Sequence, residues 1–270
     1  MKGAFILLRH SLKRVRTLVL VMGVLLSAFQ VVLILVAGSI ERSNAFGQIN
    51  SLIPDFMRNL MGPSVVGLMS FSGIVCVGYF HIAVMGSLVG LTIALGTEPA
   101  SEIETQFMDL ILSRPLARHW VMTRSVVLIL VCTVFVLLLM ILGTWSGLYF
   151  LAPSGAESPT SELIWSLALN LGVLMVCWGG IALAVASRAR RRSVAGSVVG
   201  LSALTTFLLD YVGRAWQPAE SIAWLSPFRY YSPLDLVMGN QIPVHNLWVL
   251  ASVGVFGFVL SYFLFSRRDI

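Results

Sequence analysis

Charge is what this sequence has least of. Acidic and basic residues make up 11% of its 270 residues and hydrophobic residues 57%, whereas a soluble domain carries about 25% charged residues. That deficit excludes a water-soluble globular domain. Long uncharged runs need lipid as their solvent, and they predict one polytopic bundle in place of one or two soluble domains. Cysteine is equally sparse. Cys76, Cys132 and Cys177 each lie inside an apolar run, with no C-x-x-C pair and no histidine at ligand spacing, so they read as small packing residues. Catalytic signatures are missing too. There is no G-x-x-x-x-G-K-[ST] loop to cradle phosphates, no H-E-x-x-H, no G-x-S-x-G elbow and no carboxylate pair inside an apolar run. The chain is therefore expected to bind no ATP in the Walker manner and no metal, and a membrane enzyme finds no supporting residue set.

What is present is a series of apolar runs. They predict an all-α membrane protein, one transmembrane domain over residues 1–270, with six spans at about 17–38, 69–95, 125–151, 163–186, 194–212 and 247–265. Residues 1–16 are expected to form a short helix with Ala4, Phe5, Leu8 and Leu12 on one arc and Lys2, Arg9, Lys13 and Arg16 on the next. Such a helix either lies in the headgroup layer or serves only as a basic flank. The run after it is longer than a signal peptide's apolar region and lacks a small-residue cleavage site, so it is expected to stay attached as the first span. Between the first two runs, Asp55 and Arg58 sit in a mixed segment suited to a short surface helix. From Ser64 to Gly96 the only ionisable side chain other than Cys76 and Tyr79 is His81, and the run is too long for one upright helix and too short for two. One tilted or broken span is expected. His81, at its middle, is either hydrogen-bonded inside the bundle or lines a polar conduit.

Fourteen of the eighteen lysines and arginines fall on one side of a six-span topology, and Arg42, Arg58, Arg214 and Arg229 on the other. The positive-inside rule then puts both termini in the cytoplasm. The basic pI follows from this distribution, with no soluble groove for nucleic acid. Arg188, Arg190, Arg191 and Arg192 read as a topological anchor, with lipid or protein contact as a second role. G-x-x-x-G pairs at Gly86/Gly90, Gly143/Gly147 and Gly196/Gly200 would permit close helix approach.

The charged interruption from Thr97 to Trp120 stands out against this background. Ser101 followed by Glu104 has the spacing of a capping box and Pro115 that of a stop, which predicts an interfacial helix over residues 101–114. At helical spacing Glu98, Glu102, Thr105, Gln106, Asp109 and Ser113 share one face, expected to meet water or a partner. Ile103, Phe107, Leu110 and Ile111 share the other, expected to meet lipid or the bundle. At the opposite side, Asp210 and Arg214 have i, i+4 spacing and read as a structural pair or a gating contact. The aromatic segment from Gly213 to Asn246 is expected to enter the outer leaflet and return, with protein burying its backbone.

Two local motifs carry a family resemblance. The stretch Glu102–Arg118, ending LILSRPLAR, resembles the first cytoplasmic loop of type 2 ABC transporter permeases, and Leu225, Ser226, Pro227, Phe228, Tyr230 and Tyr231 resemble a motif before that family's last span. Arg267, Arg268 and Asp269 match its basic-basic-acidic terminus. The chain departs from the pattern at Gln106 and Phe107, where the family commonly has Gly-Thr. The resemblance implies a six-span half-transporter of a bacterial or archaeal plasma membrane, paired with an identical or related permease subunit and a separate ATP-binding subunit that holds ATP and Mg. It also implies ATPase coupling through Glu102, Glu104, Asp109, Arg114, Pro115 and Arg118, a secondary cytoplasmic contact at Arg188–Arg192, and an outer gate drawn from Asp210, Arg214, Phe228, Tyr230 and Tyr231. Two other classes stay open at this point: an ATP-independent transporter or channel, for which His81 is the conduit candidate, and a membrane enzyme or assembly factor.

Overall fold

A computed structural model describes residues 2–43, 68, 70–108, 119–214 and 216–267, with side chains from residue 7 onward. Among these residues the chain is helical without strands: α1 Lys2–Arg42, α2 Phe71–Phe80, α3 Ile82–Gly96, α4 Glu98–Glu104, α5 His119–Leu151, α6 Ser161–Ala186, α7 Arg192–Gly213, α8 Gln217–Ala223, a 3-10 turn Pro227–Tyr230, α9 Pro233–Val237 and α10 Val244–Ser266. Six stretches among them are long and apolar enough to cross a membrane: Leu7–Arg42, Phe71–Gly96, His119–Leu151, Ser161–Ala186, Arg192–Gly213 and Val244–Ser266. The protein is a polytopic all-α membrane protein. The surface segment around Asp55 and Arg58 lies outside the described residues.

α1 corrects one expectation. Residues 2–16 do not form a separate helix, because α1 runs unbroken for 41 residues from Lys2 to Arg42. No proline or glycine separates Arg16 from Thr17, so nothing in the sequence turns the chain there. At 1.5 Å per residue the helix is about 60 Å long, twice a hydrocarbon core.

Small residues set the helix crossings. Gly143 and Gly147 of α5 lie against Ser27 and Ile34 of α1, and Gly23 lies against Leu139, a register in which the two helices run parallel. α6 and α10 meet through Gly180, Gly254 and Gly257, whose backbones leave no space for a Cβ. Of the three G-x-x-x-G pairs, only Gly143/Gly147 packs inside the bundle. Cβ atoms at Gly86, Gly90, Gly196 and Gly200 would meet nothing within 4 Å. All three cysteines are buried and free, as packing residues would be.

The second span is broken at His81, which has φ −58° and ψ 134° and ends α2 while capping α3. In an unbroken helix the Ala83 N–H would bond the Tyr79 carbonyl. Here it donates to Nδ1 of His81 at 3.3 Å, and the Tyr79 carbonyl instead accepts from the Tyr231 hydroxyl at 3.0 Å. The ring of Phe29 lies 5.4 Å from that of His81. The break therefore has tertiary support from both α1 and the segment before α10.

That segment folds back into the bundle. The Ser226 hydroxyl donates to the Thr206 carbonyl at 2.8 Å, seven residues short of the end of α7 at Gly213, or about 10 Å down the helix. Phe228 packs between Trp178 and Phe207, with ring centroids at 5.6 and 5.4 Å. Ser226, Phe228 and Tyr231 are buried. Protein covers the part of this irregular backbone around Ser226, Phe228 and Tyr231, which is the condition for such backbone to lie at membrane depth.

Candidate functional site

Two polar sites lie at opposite ends of the bundle. The first surrounds α4. Its sequence, EPASEIE, places Pro99 in the first turn, where a missing N–H costs nothing, so the helix starts at Glu98. Ser101 is thus inside the helix and caps nothing, contrary to the capping-box reading. The helix stops at Glu104, where Gln106 adopts φ 58°, a left-handed conformation that terminates helices. A helix continuous from 101 to 114 is excluded by that turn.

The acidic face of α4 points into the protein, which reverses its expected orientation. Glu102 is 3% exposed and accepts two hydrogen bonds from Arg124 of α5, at 2.9 and 2.6 Å. Glu98, 7% exposed, faces Arg14 of α1 at 3.4 Å and Arg192 of α7 at 3.2 Å. Arg192 also donates to the Ala94 carbonyl, and its backbone N–H donates to Glu104 at 2.9 Å. A buried carboxylate is tolerable only when paired and hydrogen-bonded. Arg124 supplies both for Glu102, Arg14 and Arg192 supply the pairing for Glu98, and together they tie α4 to α1, α5 and α7.

Arg124 went unrecognised in the sequence because it stands at the start of an apolar run, where a basic residue reads as a boundary marker. Glu104 is exposed beside the exposed Thr105 and Gln106, and Arg188, Arg190 and Arg191 are exposed in the turn between α6 and α7. Arg192 belongs to the clamp. Asp109, Arg114, Pro115 and Arg118 lie outside the described residues, as do Arg268 and Asp269.

The second site is a cavity of about 570 Å³ at the end of the bundle away from this arginine cluster. It brings together Asp210, Arg214, Phe228 and Tyr231 of the expected gate set, and adds Phe80, Phe207, Arg229 and Asp235. Arg214 donates to Oδ2 of Asp210 at 2.9 and 3.2 Å. Arg229 lies 3.6 Å from Glu220. Burial pushes the Tyr231 phenol up from its usual pKa, which keeps it a donor to the Tyr79 carbonyl. Tyr230 points elsewhere and donates to the Trp224 carbonyl at 3.1 Å. His81 is absent from the cavity wall; its half-buried ring serves as a helix cap.

Among the described residues no three His, Cys, Asp or Glu side chains converge as metal ligands. No protein-family model matches the sequence, and no curated protein matches it.

Proposed function

We propose that this chain is the membrane-spanning subunit of an ATP-driven exporter of the type 2 ABC kind. In this reading it has no enzymatic activity of its own. A separate ATP-binding subunit supplies ATP and Mg, and a second permease subunit, identical or related, completes the transporter. Both termini lie in the cytoplasm of a bacterial or archaeal cell, with the chain in its plasma membrane.

The observation that carries this reading is the clamp on α4. A transmission element must be stiff, since a push on a mobile loop is absorbed before it reaches the spans. α4 is held by Glu98 and Glu102 to arginines on α1, α5 and α7, so a displacement of α4 moves three spans together. The exposed Glu104 and the exposed Arg188, Arg190 and Arg191 form the surface available for a partner on that side. The role expected for Glu102 shifts accordingly: it holds the coupling element in place and leaves the partner contact to its neighbours. The resemblance of Glu102–Arg118 to the permease loop supports the same assignment. The test is purification of the tagged chain followed by identification of bound proteins. An ATP-binding subunit whose hydrolysis depends on this chain is the expected result.

A further inference from the structure

The four charges that line the cavity, Asp210, Arg214, Arg229 and Asp235, balance in number but do not all pair with one another. Asp210 is matched by Arg214 and Arg229 by Glu220. The Asp235 carboxylate lines the same cavity with no side-chain partner among the described residues. Around it stand four aromatic rings, Phe80, Phe207, Phe228 and Tyr231, and the thioethers of Met85 and Met238. An unpaired carboxylate beside aromatic faces attracts a cation twice over, by charge and by the ring quadrupoles. A volume of about 570 Å³ is within the range that holds a drug-sized molecule.

The cavity also has an apolar extension. A groove of about 320 Å³ between α3 and α7 shares Met85, Phe207 and Phe228 with it, and is floored by Gly86, Gly90 and Gly200. The missing side chains at those glycines leave the groove open along the hydrocarbon layer. A charged chamber that opens into an apolar slot matches a ligand with a cationic head and an apolar body.

We propose that the cavity binds an amphiphilic organic cation, with its positive group at Asp235 and its apolar part against Phe207 and the groove between α3 and α7. As a binding site this stands apart from the exporter reading; as the site of cargo it rests on that reading. The specificity follows from sign. An anion of the same size and apolarity meets the unpaired Asp235, while the two arginines are already matched.

The experiment uses the full chain in nanodiscs of neutral lipid, with no ATP-binding protein present, and measures equilibrium binding of tetraphenylphosphonium and of its anionic counterpart tetraphenylborate. Saturable binding of the cation, weakened about tenfold or more by Asp235→Asn and retained by Asp235→Glu, is the expected result. Phe80→Leu is expected to weaken it several-fold without altering elution as a folded species. Equal binding to wild type and Asp235→Asn, or binding of tetraphenylborate as tight as that of the cation, overturns the proposal. So does loss of binding in Asp235→Glu when that variant elutes and unfolds like wild type. Because no ATPase is present, failure here leaves the exporter reading standing, and failure to find an ATP-binding partner leaves the binding result standing.

Discussion

Arg124 and Glu102 face each other through two parallel hydrogen bonds, and each side chain is only 4% exposed. Breaking such a pair leaves one buried charge without a partner, a loss of about 3–5 kcal/mol. Glu102→Gln and Arg124→Ala are therefore each expected to lower the unfolding midpoint strongly in nanodiscs. The double replacement Glu102→Leu with Arg124→Met removes both charges and is expected to recover most of that loss. Denaturant titration of the four proteins checks this, and a double variant as unstable as the singles would contradict it.

The spans were legible in the sequence because run length and hydrophobicity alone decide whether a helix crosses lipid. The phase of α4 was legible as well: Glu98 and Glu102 do share a face. Its orientation was not, since an acidic face is assumed to seek water, and the arginines that attract it arrive from α1, α5 and α7. The break at His81 was expected only as one of two alternatives. No proline or glycine marks residue 81, and the contacts that hold it open, from Phe29 and Tyr231, are tertiary. The cavity at the other end of the bundle was half legible. Asp210 and Arg214 announced themselves by spacing, whereas Asp235 belongs to a five-residue helix whose position depends on the fold-back of the segment before it.

The bond from Tyr231 to the Tyr79 carbonyl fixes the fold-back segment to the broken span. Tyr231→Phe removes the donor and leaves the carbonyl unsatisfied, with an expected cost of about 1–3 kcal/mol. Hydrogen exchange should rise in residues 226–237 before it rises in α6. Wild-type stability should also fall in strong alkali: the native phenol holds its proton above the unfolded pKa of about 10, so ionisation of the unfolded chain lowers stability as pH rises past that value. Exchange rates in Tyr231→Phe equal to wild type would contradict the assignment.

His81 and Tyr231 satisfy the donor and the acceptor of one broken backbone hydrogen bond, the Ala83 N–H and the Tyr79 carbonyl, so their effects should not add. His81→Ala removes the cap of α3, at an expected cost of about 1 kcal/mol. Combined with Tyr231→Phe, the total is expected to differ from the sum by about 0.5 kcal/mol or more. Strict additivity in a double-mutant cycle would show that the break and the fold-back segment are independent.

The glycines separate into two groups with opposite tolerance. A Cβ at Gly180 would overlap the Gly254 carbonyl, so Gly180→Ala is expected to push α6 from α10 and destabilise the chain by about 1–3 kcal/mol. Alanine at Gly86 or Gly196 meets open space and is expected to change stability by less than about 0.5 kcal/mol. Thermal unfolding of the single chain in nanodiscs distinguishes the two outcomes.

The exposed corner beside the clamp is where a partner would bear. Alanine at Arg188, Arg190 and Arg191 together is expected to leave insertion and stability near wild type while lowering transport per ATP hydrolysed; Glu104→Arg is expected to lower it too, with an added loss of stability because it gives up the bond from the Arg192 N–H. Glu102→Arg, by contrast, is expected to fail at folding. Equal coupling ratios in the Glu104→Arg protein and wild type would remove that corner from the mechanism.

The most direct measurement is the ATPase rate of the ATP-binding protein that copurifies with this chain, taken in nanodiscs with and without it. The exporter reading predicts that such a protein is found and that its hydrolysis falls to background when the chain is omitted. An ATPase rate unchanged by the chain, or repeated purification with no ATP-binding protein bound, would contradict it.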